Sequence, residues 1–251
     1  MQTDIVYNED CLKGIKKIPD GSIDLILCDL PYGTTKCEWD KCLNLEVLWS
    51  EYKRIITNIG IICLFGSEPF STKLKMRVLE LYKYDWIWVK NNSTGFMHAK
   101  NQPLKNYENI SVFSKASIGH KNLLKEKRMT YNPQGLIKIN TKARNSLRKK
   151  GGVYGTCSSF KNEYIKEYTN YPTMILKFSH DKQRYHPTQK PIALLEYLIK
   201  TYTNENDIVL DNCCGSGSTL VACKNLNRRF ISFELDKKYY NITLERLKNN
   251  V

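Results

Sequence analysis

The chain has 251 residues, 41% of them hydrophobic and 25% charged, which is ordinary globular composition and excludes a wholly disordered polypeptide. That length holds one large α/β domain, or one domain carrying a smaller insertion. Lysine and arginine number 39 against 25 acidic residues, a net charge of +14; a solvated surface needs far less, so a polyanionic partner, most simply nucleic acid, is implied.

The first strong element is Ile23–Cys28, a short β-rich run after the turn signal PDGS. It reads as a buried strand and ends at Asp29-Leu30-Pro31-Tyr32-Gly33. Apolar residues at Leu45, Leu48, Tyr52, Ile55 and Ile56 predict a helix over Leu45–Thr57. Gly60 breaks it, and Ile61–Phe65 is a second buried strand. Ser71–Leu81 reads as helix, and Trp86–Val89 and Ile110–Phe113 as strands. Trp86 and Trp88 read as packing a strand face rather than as contacts to a ligand.

Residues 115–184 differ. They hold sixteen basic residues and four acidic ones, so most of the net charge lies there. Apolar periodicity is weak, and Asn, Ser, Gly and Tyr abound, which predicts a loop-rich basic insertion. Tyr131, Tyr154, Phe160, Tyr164, Tyr168 and Tyr171 interleave with the charge, as in surfaces that stack on nucleic acid.

Beyond this segment, Pro191–Tyr202 reads as helix and Ile208–Leu210 as a strand ending at Asp211. A turn with Gly215 and Gly217 leads into a helix over Thr219–Leu226. Phe230–Phe233 is a strand ending at Glu234, and a last helix covers Lys237–Leu247. Strands alternating with helices imply a doubly wound α/β fold, a mostly parallel sheet covered on both faces.

No run approaches the roughly 18 apolar residues of a membrane span, and the opening MQTDIVYNEDC lacks an apolar signal segment. A cytoplasmic chain without a membrane partner is expected. Of the nine cysteines, Cys28, Cys63 and Cys223 sit in apolar runs and read as reduced core thiols. Cys37 with Cys42, and Cys213 with Cys214, lack a second pair or a histidine cluster, so no metal site is expected. Asn241-Ile242-Thr243 matches a glycosylation acceptor by chance.

Three motifs carry chemistry. In Asp211-Asn212-Cys213-Cys214-Gly215-Ser216-Gly217-Ser218-Thr219, a strand enters a turn whose glycines allow tight bending and close ligand approach. Glu234 ends the next strand, where a carboxylate can accept both hydroxyls of a ribose. Leu220 stands where a dinucleotide loop has its third glycine, and the turn lacks a P-loop lysine, so a nucleoside without phosphates fits better. In Asp29-Leu30-Pro31-Tyr32, a carboxylate, a free carbonyl, a turn-fixing proline and an aromatic ring crowd the carboxyl end of a strand, where open α/β sheets bind ligands. In His186-Pro187-Thr188-Gln189-Lys190-Pro191, Thr188 or Gln189 is placed to cap the following helix, and the extra His and Lys suit a carboxylate.

Together these residues resemble the β-class of DNA amino-methyltransferases that use S-adenosylmethionine. Asp29-Leu30-Pro31-Tyr32 is similar to the family's catalytic D-P-P-Y tetrapeptide, with Leu30 in place of a proline. DNCCGSGST is similar to its cofactor loop D-P-F-x-G-S-G-T, and HPTQKP matches a segment just before that loop. Asn8-Glu9-Asp10-Cys11 is similar to the family's entry into the catalytic strand, and the stretches LFGSEPF and WIWVKNNSTGF look like small phage and prophage adenine methyltransferases. The resemblance covers about residues 4–114 and 184–248.

It implies a Rossmann-like domain in circularly permuted motif order. A catalytic half spans 1–114 and a cofactor half 185–251, with 115–184 a basic target-recognition insertion between them. Asp29 and the Leu30 carbonyl would each accept one N–H of the target amine, Pro31 would hold the turn, and Tyr32 would stack on the base. Asp10 would contact the cofactor's adenine amine, with the backbone of Cys11 at the ring edge. Glu234 would take the ribose hydroxyls. Asp211, Asn212 and the turn Gly215, Ser216, Gly217 and Ser218 would line the methionine side. His186, Thr188, Gln189 and Lys190 would hold its carboxylate and amine. No metal is required.

The expected substrate is the N6 amine of an adenine flipped from double-stranded DNA, because Asp stands first in the tetrapeptide. Ser in first position goes more with cytosine N4, which is the alternative within the class. Outside it stand a DNA-binding module without turnover, and methylation of RNA or of a protein glutamine. By analogy with relatives, a homodimer is expected.

Overall fold

The structure is a computed structural model in which residues 2–33, 40–119, 127–144 and 163–249 are described. They form two compact units, one of residues 1–132 with 174–251 and one of 133–173.

The larger unit begins with β1 (Ile5–Tyr7), α1 (Cys11–Gly14), β2 (Ile23–Cys28), α2 (Leu45–Ile55) and β3 (Ile56–Gly66). α3 (Phe70–Met76), β4 (Tyr82–Thr94) and β5 (Lys105–Phe113) follow. The smaller unit holds β6 (Ile137–Arg144) and β7 (Glu163–Thr169). The larger unit then resumes with β8 (Ile175–Lys177), α4 (Ile192–Tyr202), β9 (Ile208–Asp211), α5 (Ser218–Asn225), β10 (Arg229–Phe233) and α6 (Lys237–Asn249).

Eight strands make one sheet in the order β1-β10-β9-β2-β3-β5-β4-β8. Among the described residues, β5 alone runs against the others. The expected α/β fold with a mostly parallel sheet is therefore what the chain adopts. β2 and β9, far apart in sequence, are neighbours, with Leu25 opposite Val209 and Ile26 opposite Leu210. Both strands end on the same edge, β2 just before Asp29 and β9 at Asp211.

Strand alternation divides the core. Leu25, Leu27, Ile61, Cys63 and Phe65 face a cluster shared with Leu194, Leu198, Tyr202 and Leu220. Ile26, Cys28, Ile62 and Leu64 face another shared with Leu45, Leu48, Trp49, Tyr52 and Ile55. Helices thus cover both faces, a three-layer arrangement. The apolar spacing of α2 puts Leu45, Leu48, Trp49, Tyr52 and Ile55 on one buried stripe, and Asn44 caps its start through Glu46 and Val47 N–H.

Several boundaries differ from the sequence reading. α3 stops at Met76, and the expected helix to Leu81 is replaced by tight turns that still bury Val78 and Leu81. β4 and β5 extend well past their apolar cores, because their outer arms pair as a polar antiparallel ribbon that hydrophobicity does not mark. Trp86 and Trp88 are buried, and the Trp88 indole N–H donates to the Phe178 carbonyl at 2.9 Å. Cys28, Cys63 and Cys223 are buried free thiols.

Within the segment 115–184, weak periodicity had predicted loops. The described residues instead include β6 and β7, an antiparallel pair with Lys142 opposite Ile165 and Arg144 opposite Glu163, and the edge strand β8. Tyr164 and Tyr171 are exposed. Tyr131 packs on Tyr202 in the core of the larger unit, with ring centres 6.3 Å apart. Lys121, Lys125, Arg148, Lys149, Lys150, Lys161, Tyr154, Phe160 and Cys37 lie outside the described residues. Among those described, no helix is long and apolar enough to cross a membrane.

Candidate active site

The β2 and β9 ends open into a cavity of about 760 Å³. Asp29, Leu30, Pro31 and Tyr32 line one part of it. The Leu30 side chain is packed in the core, so this residue meets the cavity through its backbone. Tyr32 donates its hydroxyl to Asp29 Oδ1 at 2.9 Å and lies stacked on Phe70, with ring centres 4.8 Å apart. Burial, and then the Asp29 charge, push the Tyr32 hydroxyl well above its usual value, which keeps it a donor.

The other Asp29 oxygen, Oδ2, accepts from Lys190. Lys190 Nζ also stands 3.3 Å from Glu108 Oε2 on β5, and lies over the Phe65 ring at 5.1 Å. Glu108 Oε1 accepts from Lys90 on β4. Burial raises the Asp29 carboxyl above its usual value, against the pull of Lys190. Burial disfavours charge on Glu108 as well, but Lys190 and Lys90 outweigh it and hold that carboxyl below its usual value. Burial works against the Lys190 ammonium too, yet Asp29 and Glu108 outweigh it and raise its pKa.

The turn after β9 forms the second wall. Gly215 and Gly217 take φ of +54° and +78°, left-handed values that favour glycine. A Cβ on Gly217 would stand 2.6 Å from Thr243 Cγ2, so this glycine serves the close approach of α6 and does not itself line the cavity. Thr243 in turn donates its hydroxyl to the Gly215 carbonyl at 2.9 Å. Glu234, at the end of β10, accepts from Gly215 N–H at 2.7 Å and from Asp236 N–H at 2.8 Å. Burial raises its carboxyl, against those two donors. Asp211 accepts from Cys213 N–H at 3.2 Å, and burial pushes its carboxyl up to about 6. Asn212 accepts from the Tyr52 hydroxyl, while Ser216 and Ser218 line the cavity beside it.

Asp10 and Cys11 close the third side, beside Glu234. Asp10 also caps α1, accepting from Leu12 N–H at 2.8 Å. His186, Thr188, Gln189 and Lys190 line the cavity between these walls. Their local roles correct one expectation: neither Thr188 nor Gln189 caps α4. Ile192 N–H instead donates to the Asp181 carboxylate at 3.2 Å. The reason is a turn, Gln189 N–H to the His186 carbonyl at 3.2 Å, that directs these side chains elsewhere. Thr188 N–H donates to His186 Nδ1 at 3.2 Å, and Gln189 bridges Tyr185 N–H, Asp181 and Ser216. Burial, then Lys190, hold His186 below its usual value.

All the site residues expected from sequence line this one cavity except Gly217. Sequence reasoning missed Glu108, Phe65 and Tyr239, which is edge-on to His186 at 4.3 Å. Glu108 had one signal, a lone acid two residues before the buried run Ile110–Phe113, where a charge needs a partner.

The family described as DNA methylase matches residues 23–245 of the chain. The type II methyltransferase M.HpaI of Haemophilus parainfluenzae is 28% identical over 256 residues, which cover 95% of this chain and 72% of that protein. The DNA adenine methyltransferase YhdJ of Escherichia coli (strain K12) is 27% identical over 261 residues, covering 96% of this chain and 82% of the relative. Among solved structures, the M1.HpyAVI complex with SAM superimposes with a TM-score of 0.62 at 27% identity, over 96% of this chain and 98% of that one.

Proposed function

Because the chain belongs to the DNA methylase family, we propose that its cavity moves a methyl group from S-adenosylmethionine to the N6 amine of an adenine extruded from duplex DNA. The observation that carries this reading is one cavity walled by Asp29–Tyr32 on one side and by the Gly215 turn with Glu234 on the other.

The residues fit the cofactor. The cavity's size suits a nucleoside-sized ligand. The left-handed Gly215 keeps the turn free of a Cβ where the ligand approaches, and Glu234 offers ribose hydroxyls the lone pairs its two backbone donors leave free. Asp10 and Cys11 reach the adenine end. Asp211, Asn212, the Gly215–Ser218 turn, His186, Thr188 and Gln189 serve the methionine end. When bound, the cofactor supplies an electrophilic methyl group on a sulfonium.

The protein's own part is positioning and electrostatics. An exocyclic amine is a poor nucleophile while its lone pair is delocalised into the ring. Asp29 and the Leu30 carbonyl accept its two N–H groups and turn the lone pair toward the methyl. Phe70 backs the Tyr32 ring, which stacks on the base in this reading. Asp29 also stabilises the positive charge that grows on nitrogen. Extrusion of the base costs a few kcal/mol of stacking and pairing. Contacts between phosphates and the basic residues of 115–184, which this reading makes the target-recognition region, offset it. This reading puts the work in the cytoplasm, and self-association, expected by analogy, is read by sedimentation.

The test is transfer from labelled S-adenosylmethionine to unmethylated genomic duplex, followed by digestion and mass analysis of the nucleosides. N6-methyladenine supports the reading. N4-methylcytosine without methyladenine replaces it with the cytosine alternative, and transfer only to RNA or protein overturns the substrate class.

A further inference from the structure

Asp29 and Glu108 come from different strands, β2 and β5, yet both reach one lysine. Lys190 contacts Asp29 Oδ2 and lies 3.3 Å from Glu108 Oε2, with only 9% of its side chain exposed. Glu108 has a second cation, Lys90, while Asp29 has the Tyr32 hydroxyl. Two partly buried carboxylates thus contest one ammonium, and the one with independent support needs it less. The arrangement is unequal by construction. Asp29 holds its oxygens ready for donors, and Glu108 offers Lys190 somewhere to remain when another donor arrives.

Resting on the activity proposed above, we propose that Lys190 is a positioning residue for Asp29: it keeps that carboxylate ionised and aimed in the free enzyme, then withdraws to Glu108 as the target amine takes up Asp29 Oδ2. The charge on Lys190 stays in the site throughout, because releasing it to water is prevented by burial under Phe65 and between the two acids. The groups facing this pair are Tyr32 and Cys28 beside Asp29, Lys90 and Lys105 around Glu108, His180 near Lys90, His186 near Lys190, and Asp211 on β9.

The signs are opposite for the two partners. Without the Lys190 cation, only the Tyr32 hydrogen bond still opposes burial at Asp29, so Asp29 holds its proton to higher pH. Without the Glu108 charge, Lys190 belongs to Asp29 alone, and Asp29 loses its proton at lower pH. The experiment is single-turnover methyl transfer to duplex DNA against pH for wild type, Lys190→Met, Lys190→Arg and Glu108→Gln. It is paired with calorimetric S-adenosylmethionine affinity and with carboxyl-carbon NMR titration of Asp29 in the protein alone.

Lys190→Met is expected to slow transfer by about 10²-fold at neutral pH, move the acid limb up, raise the Asp29 midpoint and leave cofactor affinity within a few-fold. Lys190→Arg recovers part of both rate and limb. Glu108→Gln moves limb and midpoint down while still slowing transfer. Unmoved limbs and midpoints in an active enzyme overturn this inference alone. A loss of cofactor affinity that matches the loss of rate in Lys190→Met also overturns it and puts Lys190 on the methionine carboxylate. Wild type inactive on every nucleic acid overturns the activity and this inference with it.

Discussion

Glu234 Oε2 accepts the Gly215 N–H at 2.7 Å, which ties the end of β10 to the glycine turn after β9. The same carboxylate holds Asp236 N–H through its other oxygen. Replacing it by Gln turns one acceptor into a donor facing an N–H. An unsatisfied buried donor costs about 1–3 kcal/mol. Glu234→Gln is therefore expected to weaken S-adenosylmethionine binding by roughly 10-fold or more in calorimetry, beyond any loss of stability read by urea unfolding. Unchanged affinity would remove Glu234 from the cofactor site.

Asp211 carries a different cost. Its folded carboxyl titrates near 6, raised by burial from an ordinary 3.8. A raised acid favours the protonated folded state, so its contribution to stability is full below about pH 4 and lost as pH rises through about 6. The gap corresponds to about 3 kcal/mol. Asp211→Asn keeps an acceptor for Cys213 N–H and removes the charge. Urea unfolding should find it equal to wild type near pH 4 and about 2–3 kcal/mol more stable at pH 8, with weaker cofactor binding. Equal stability at both pH values would contradict the assignment.

Gly217 tests the turn's packing. At φ +78° an alanine is strained by about 1–2 kcal/mol, and its Cβ meets Thr243. Gly217→Ala should lower the denaturation midpoint. Adding Thr243→Ala should return only part of the loss, since the backbone strain and a 3.2 Å approach to Cβ remain and the bond to the Gly215 carbonyl is removed. An unchanged midpoint in Gly217→Ala would contradict the close approach of the turn to α6.

Phosphate contacts make DNA binding salt-dependent. About six such contacts would reduce affinity by roughly 10³-fold between 50 and 200 mM salt. Fluorescence anisotropy with duplex DNA measures the slope. A flat response would end the case for the basic segment as a DNA surface.

Much of the core was legible because buried strands and amphipathic helices print their period on the sequence. β2, α4, β9 and β10 lie within a residue or so of their expected bounds. The meeting of Asp29 with the Gly215 turn was legible too, since ligands gather at the carboxyl ends of parallel strands. β1, with three residues on a sheet edge, was too short to carry a period. The outer arms of β4 and β5 are polar, and the pair β6–β7 is largely exposed despite Ile137 and Ile165, so no buried stripe marked them. The sharing of Lys190 between Asp29 and Glu108 was illegible for another reason. It depends on which strands become neighbours, and composition at three scattered positions does not encode that.

In the proposed reaction Asp29 receives the target amine. The most direct measurement is methyl transfer from labelled S-adenosylmethionine to unmethylated duplex DNA by wild type and Asp29→Ala, with cofactor affinity determined on both. N6-methyladenine is expected from wild type, none from the variant, and cofactor affinities within a few-fold of each other. Transfer that survives in Asp29→Ala, or a loss of cofactor affinity as large as the loss of transfer, would contradict that role of Asp29.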